Sequence, residues 1–371
     1  MPVPTAARQS SAVSAATAQR LSAAAHVALG RERSREDRLT DGALALRDLS
    51  AALVATPRAD LAWLARTALT GAYPTADQVR SLTRTARLNP EREVSWAAME
   101  LSLGPARRHD SAHRPARVVS HPVVDLDLCA RSDFHNGIQR VARETAQRWA
   151  QRHQVTPVAW TDTGGSLRDL TRQEELRTTR WSSRHTEIDT GVGPGPAAAA
   201  GDEFGLVIPW HTTVVLAEVP LADRCASLSG LAELSGNAVV AIGYDAIPVV
   251  SADLRPLGEA NAFAAYLTVI KHSARVAGIS TSATVEFEGF SQALASQGLP
   301  GPEVREVLLP SDVPPPPPGF RRTPSARPRV LSVGRTEPHK NHGALLHAAE
   351  LLWREGLEVD LDPIGAKGWA T

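Results

Sequence analysis

From residue 36 to residue 104 apolar positions return at helical spacing. Leu46, Leu49, Leu53, Leu61, Leu64 and Ala68 recur near helical spacing, and alanine is abundant. Pro57, Pro74 and Pro90 interrupt the run. Proline lacks the N–H that a helix interior needs, so about four short helices are expected. The period changes at His121. Pro122 to Leu128 (PVVDLDL) reads as a buried strand, and Cys129 to Gly137 as the loop after it. Ile138, Val141, Ala142, Thr145 and Trp149 then share one face of an amphipathic helix. Strand, loop and helix recur beyond this point. Strands are expected at Val155 to Trp160, Phe204 to Ile208, Thr213 to Val219, Ala238 to Tyr244, Arg275 to Ser280 and Val304 to Leu309, and helices near 222–235, 259–273 and 281–297. Such alternation predicts an α/β domain with a mostly parallel sheet.

The remaining segments are compositional. Residues 1–35 begin with an Ala/Ser-rich stretch carrying Arg8 and Arg20. That bias faintly resembles a transit peptide, but a disordered tail is the simpler expectation, and the apolar core of a secretory signal is missing. Gly191 to Gly201 reads as a flexible insertion. Pro314 to Pro318 are consecutive prolines, which make 311–328 a stiff linker. One more strand, helix and strand follow, at Val330 to Gly334, Asn341 to Glu355 and Val359 to Gly365, with Gly356 placed to cap the helix. The expected organisation is a tail over 1–35, a helical accessory region over 36–115, an α/β domain over 121–310, the linker, and an incomplete α/β domain over 329–371. The helical region reads equally as a partner surface or as a packing cap.

The chain has 371 residues, of which 43% are hydrophobic, enough for two domains with real cores. Its 40 basic residues balance its 40 acidic ones, which gives no reason to expect nucleic-acid binding. Cys129 and Cys225 form no metal spacing and read as reduced, buried thiols, in keeping with a cytoplasmic protein.

Three places could carry chemistry. In Gly334 to Asn341 a glycine turn ends an apolar strand, Arg335 and Lys340 follow, and a helix begins. A guanidinium fork, an ammonium and a helix N-terminus together suit a diphosphate; a solvated basic turn is the plainer reading. Arg131 to Arg140 is a loop with Gly137 at a helix start, where a phosphate could approach backbone N–H groups, although a tight turn explains one glycine as well. Asp245 ends an apolar strand just before Pro248, a position where catalytic or sugar-binding carboxylates sit, and also where a loop-ordering Asp would sit. His339, His342 and His347 do not share one helix face, so no metal site is expected. There is no Walker A sequence, no nucleophile elbow and no GxGxxG after a strand, which argues against a nucleotide-dependent oxidoreductase.

Together these segments resemble glycosyltransferase family 4, whose members pair two Rossmann-like domains in the GT-B fold. Asp127 to Arg143 (DLCARSDFHNGIQRVAR), with its GIQRV run, is similar to the first loop and helix of one bacterial branch. Gly243 to Pro248 (GYDAIP) is similar to that branch's YDLIP segment, with Ala246 in place of Leu. Val330 to Trp353 with Gly365 to Trp369 is similar to the start of the donor domain, which reads V-G-x-x-E-P-x-K and later G-x-x-G-W. The resemblance covers residues 121–371. It implies retaining sugar transfer from a nucleotide-sugar donor to a glycan or lipid-linked acceptor hydroxyl, in surface polysaccharide or glycan synthesis, with no cofactor and no metal. Peripheral membrane contact, and a protein partner for the helical N-terminal region, would fit that setting. By the resemblance Gly137, Gly334, Arg335 and Lys340 would bind the donor diphosphate, and Asp245 would face the cleft. The family's donor domain continues beyond what this chain contains, including its glutamate pair. The expectation is therefore a truncated enzyme with weak or no catalysis, or a non-catalytic binding or assembly protein. Pro363 is also expected to weaken the strand that contains it.

Overall fold

The computed structural model describes residues 6–30, 39–91, 93–95, 97–98, 110–181, 205–310, 315–321 and 327–368. The Gly191 to Gly201 insertion lies outside these residues, as do 311–314 and 322–326 of the proline linker. The chain forms two compact units, Met1–Asp245 with Ala265–Leu308, and Ala246–Ala264 with Leu309–Thr371.

The first unit opens with four helices: α1 (Ala6–Leu29), α2 (Leu39–Ala55), α3 (Ala59–Thr70) and α4 (Ala76–Leu88). The expected disordered tail is thus a helix over most of its length. Ala16, Ala18, Leu21 and Ala23 to Ala25 are buried, so the small side chains read as tail composition let α1 pack closely on its neighbours. Arg20, read as part of a targeting-like bias, is a buried staple. Its guanidinium donates to the carbonyls of Ala68 (2.8 Å), Ala112 (2.9 Å) and Arg114 (2.6 Å), and burial lowers its pKa to about 10. Gln19 clamps the backbone of Ala116 through both amide atoms.

Among the described residues the strands of this unit are β1 (Ala116–Val119), β2 (Val123–Asp125), β3 (Thr156–Trp160), β4 (Leu167–Asp169), β5 (Leu206–Pro209), β6 (Thr213–Leu216), β7 (Ala238–Gly243), β8 (Arg275–Gly278) and β9 (Glu303–Glu306). They form one sheet in the order β1-β5-β4-β3-β2-β6-β7-β8-β9. Only β4 runs antiparallel, against β3 and β5. The intervening helices are α5 (Asp127–Arg131), α6 (Gly137–Arg152), α7 (Arg172–Arg177), α8 (Ala222–Leu234), the part of α10 (Glu259–Ile270) from Ala265 onward, and α11 (Thr281–Ala295). The mostly parallel α/β sheet is the one the alternating pattern predicts. β1 and β4 are too short and too mixed in polarity to show in the sequence. The core between β2, β6 and α6 is built from Val124, Leu126, Ala142, Ala146, Val215 and Ala217, with Cys129 among them. Both cysteines are free and buried, and burial raises their thiol pKa values.

The helical region is fused to the sheet rather than set apart over 36–115. Arg80 pairs with Glu233 of α8 at 2.6 Å, and Ser227 donates to the carbonyl of Tyr73 at 3.1 Å. Trp63, Tyr73 and Trp160 form an aromatic chain, the first pair tilted with centroids 5.2 Å apart and the second edge-on at 5.8 Å. Through those contacts the helices pack against the sheet.

The second unit holds a short helix α9 (Ile247–Val250), β10 (Arg329–Val333), α12 (His342–Arg354) and β11 (Asp360–Ile364). β10 and β11 pair in parallel, with Ser332 opposite Pro363. β11 has one strand partner among the described residues, and proline is tolerated in an edge strand because one side of it needs no donor. Leu331 is 61% exposed, Val333 76% and Ile364 58%.

Candidate functional site

β2 connects through α6 to β3 on one side. β6, parallel to β2 on its other side, connects through α8 to β7 in the opposite direction. The gap at the carboxyl ends of β2 and β6 is therefore the topological switch point, where open α/β sheets bind ligands. A small cleft lies there, lined by Asp125, Asp127, Leu128, Trp160, Glu218, Val219, Pro220, Leu221 and Arg224.

The PVVDLDL segment does not run as one strand to Leu128. Asp125 Oδ1 accepts the N–H of Asp127 at 3.1 Å, a side-chain turn that ends β2 and starts α5. Asp125 Oδ2 accepts the indole N–H of Trp160 at 2.9 Å. Asp127 Oδ1 accepts from the Trp160 backbone (2.9 Å) and from Arg131 Nε (2.8 Å). Glu218 Oε2 accepts the N–H groups of Leu128 and Cys129 at the start of α5 (3.0 and 3.2 Å). Burial, then the neighbouring charges of Asp127 and Glu218, push the Asp125 carboxyl up to about 8, so it carries its proton at neutral pH. Burial also raises Glu218. Sequence reasoning missed this cluster. The logic that singled out Asp245, a carboxylate ending an apolar strand, applies equally to Asp125 after Val123-Val124 and to Glu218 after Leu216-Ala217.

Gly137 opens α6. Asn136 caps the helix by accepting from Gln139 N at 3.1 Å, and Gln139 answers with a bond to Asn136 N. Gly137 has no positive φ, and a Cβ built on it would meet nothing within 4 Å. The protein's own turn does not require this glycine. The loop before it is held by buried Arg143, whose guanidinium donates to the carbonyls of Arg177 (2.7 Å), Phe134 (2.8 Å) and Ser132 (2.7 Å). The Trp181 ring stacks 3.9 Å from its Cζ.

Asp245 follows β7 and is partly exposed. Its neighbour Tyr244 donates to the carbonyl of Ala217 at 2.7 Å and reaches that of Ile138 at 3.4 Å. The two segments expected to belong together, 137–138 and 244–245, therefore meet at the carboxyl end of the sheet.

Gly334, Arg335 and Lys340 group separately, in the second unit, on the turn between β10 and α12. Asn341 sits at φ 52° and caps α12. Gly334 itself is unstrained, and an added Cβ would make only ordinary contacts with Lys340 and His342. The tight glycines are Gly365 and Gly368. A Cβ there would fall 1.8 Å from the Gly334 oxygen and 1.7 Å from the Thr336 oxygen, because 364–368 runs beside the turn, accepting from Gly334 N (2.9 Å) and Thr336 N (3.2 Å). Gly365→Ala is expected to destabilise the second unit by about 1–3 kcal/mol through overpacking; a differential hydrogen-exchange comparison would show faster exchange across 329–336.

Buried Glu337 organises the charge on this turn. Its carboxylate lies 3.2 Å from Arg255, 3.1 Å from Arg335 and 3.6 Å from His339. The Arg335 contact lacks hydrogen-bond alignment. Lys340 is exposed and has no ion-pair partner among the described residues. Glu337 was quoted only as a motif letter in the sequence; its burial reveals its part in the turn.

No family model, curated protein or solved structure matches this chain. Among the described residues no group of side chains could hold a metal ion, and no helix is long and apolar enough to cross a membrane.

Proposed function

We propose that this chain is built for glycosyl transfer in the GT-B manner, from a nucleotide-sugar donor to an acceptor hydroxyl with retention of configuration. The observation that carries the reading is the β10–α12 turn. Arg335, Lys340 and the N-terminal end of a 13-residue helix follow one strand end, which suits the two phosphates of a nucleoside diphosphate leaving group. Arg335 exchanges its loose contact with Glu337 for bidentate bonds to phosphate oxygens, and Lys340 adds a point charge. The parallel sheet of the first unit, and the open space beside Gly137, fit a second domain that receives the acceptor.

Isothermal titration with uridine and guanosine diphosphate tests this. Arg335→Ala and Lys340→Ala are each expected to weaken diphosphate binding by about tenfold or more, the worth of one charge-assisted hydrogen bond. Absence of diphosphate binding by the wild type, or equal affinity in both variants, would sink the reading.

The exposed apolar residues of β10 and β11, Leu331, Val333 and Ile364, favour a second reading in which the chain is a non-catalytic binding or assembly protein. Sedimentation equilibrium distinguishes it: self-association abolished by Val333→Lys, with no diphosphate binding, is the expected signature.

A further inference from the structure

We propose that the cleft at the carboxyl ends of β2, β3 and β6 is a binding site for one hydroxyl group of a polyol, such as a sugar or sugar alcohol, received by Glu218 and Arg224. Glu218 is 5% exposed. Its Oε2 is fixed by two backbone N–H groups, whereas its buried Oε1 has no hydrogen-bond partner. Arg224 is 7% exposed. Its Nη1 pairs with Asp223 at 3.0 Å, and its buried Nε has no partner. The guanidinium lies so close to Gly164, which sits at φ 68°, that a Cβ there would collide with it. Both side chains line the same cleft. Native interiors seldom leave buried polar atoms unpaired, and two in one cleft at a switch point mark a place prepared for a ligand.

The chemistry of the two atoms selects the ligand. As a carboxylate Glu218 offers Oε1 as an acceptor, and Arg224 Nε donates. A hydroxyl does both and satisfies the pair. A phosphate or carboxylate would set negative charge against Glu218 and Asp127. An ammonium donates only, and would face Arg224. Because Asp125 keeps its proton at neutral pH, it adds no second negative charge that would favour a cation. The cavity volume of about 10 Å³ is room for one oxygen-sized group. Leu128, Trp160, Val219, Pro220 and Leu221 complete the lining, and of these Leu221 is the exposed apolar side chain beside which the carbon skeleton of a polyol can lie.

This proposal stands on the first unit alone, and its test contains no nucleotide, so it can fail while the diphosphate reading survives, and the reverse. Saturation-transfer NMR on the full chain would use glycerol, myo-inositol and methyl α-D-glucopyranoside as probes. At least one is expected to receive saturation. Its signal should fall about tenfold in Glu218→Leu, since one buried acceptor is lost. Glu218→Gln keeps an oxygen for Leu128 and Cys129 and turns a donor toward the cleft. It should lose the polyol and, with two donors facing inward, begin to respond to inorganic phosphate. Near-UV circular dichroism confirms folding, and Arg224→Met replaces Glu218→Leu if that variant does not fold. Saturation of no polyol would mean that a buried water fills the cleft, and would overturn the proposal. So would equal transfer in the folded variants, or displacement of the polyol from wild type by phosphate or methylammonium.

Discussion

Arg143→Met should cost the first unit about 1–3 kcal/mol, measured by urea unfolding at neutral pH. Arg143 is 1% exposed. Its guanidinium ties together the carbonyls of Ser132 and Phe134 before α6 and of Arg177 at the end of α7, and it meets His135 Nδ1 at 2.9 Å. Methionine fills similar volume and removes the donor those carbonyls share, while Ser132 and Phe134 are themselves exposed, so water replaces part of what is lost. Arg143→Lys should recover little, because one ammonium cannot span a planar set of acceptors. The loss is not purely global. The loop from Ser132 to Asn136 sets the start of α6, so hydrogen exchange at Gly137 to Gln139 should rise more than exchange in β6 or β7. A loss below about 1 kcal/mol would show that the carbonyls find other donors, and that the guanidinium is not the organiser of this loop.

Asp125→Asn should change how stability responds to pH more than it changes stability at any one pH. In the folded chain Asp125 titrates near 8, against an ordinary value of 3.8. Between those values the folded state holds a proton that the unfolded state has released, so raising the pH favours unfolding. This one group removes about 1.4 kcal/mol per pH unit over that window. Below the ordinary value both states are protonated and the penalty vanishes; above pH 8 it is complete and flat. Asparagine does not titrate. It gives up one of the two N–H bonds that the carboxyl accepts from Asp127 and Trp160, a constant cost. The gap between the two proteins should therefore move in favour of the asparagine variant by roughly 2–4 kcal/mol from about pH 5 to about pH 8. An unchanged gap would mean that Asp125 is ionised in the folded state.

These two side chains also show what the sequence reveals and conceals. Arg143 lies on an amphipathic helix between apolar positions, where an arginine reads as a solvated residue. The return of the 129–135 loop over the helix, with Arg177 and the Trp181 ring, encloses it. Asp125 interrupts an apolar run that otherwise reads as strand to Leu128. Its bond to Asp127 N, which ends the strand, is a local event, but its shifted titration also draws on Glu218 and on enclosure beside Trp160, both far away in the chain. Arg20 follows the same rule. Alanine and serine around it resemble a tail in composition, yet close packing on α3 and β1 turns them into an interface.

The sequence by itself determined the α/β class, the positions of most parallel strands, and the basic turn after β10. Each of these follows from local periodicity or from residue types at fixed spacing, which act over a few residues. Tertiary structure alone decided that the N-terminal helices join the sheet as one unit and that Gly365 and Gly368 press against the 334–336 turn. It also decided that a polar cleft closes around Asp125, Glu218 and Arg224. Burial, desolvation and unpaired donors depend on which distant segments close over a group, and no spacing along the chain records that.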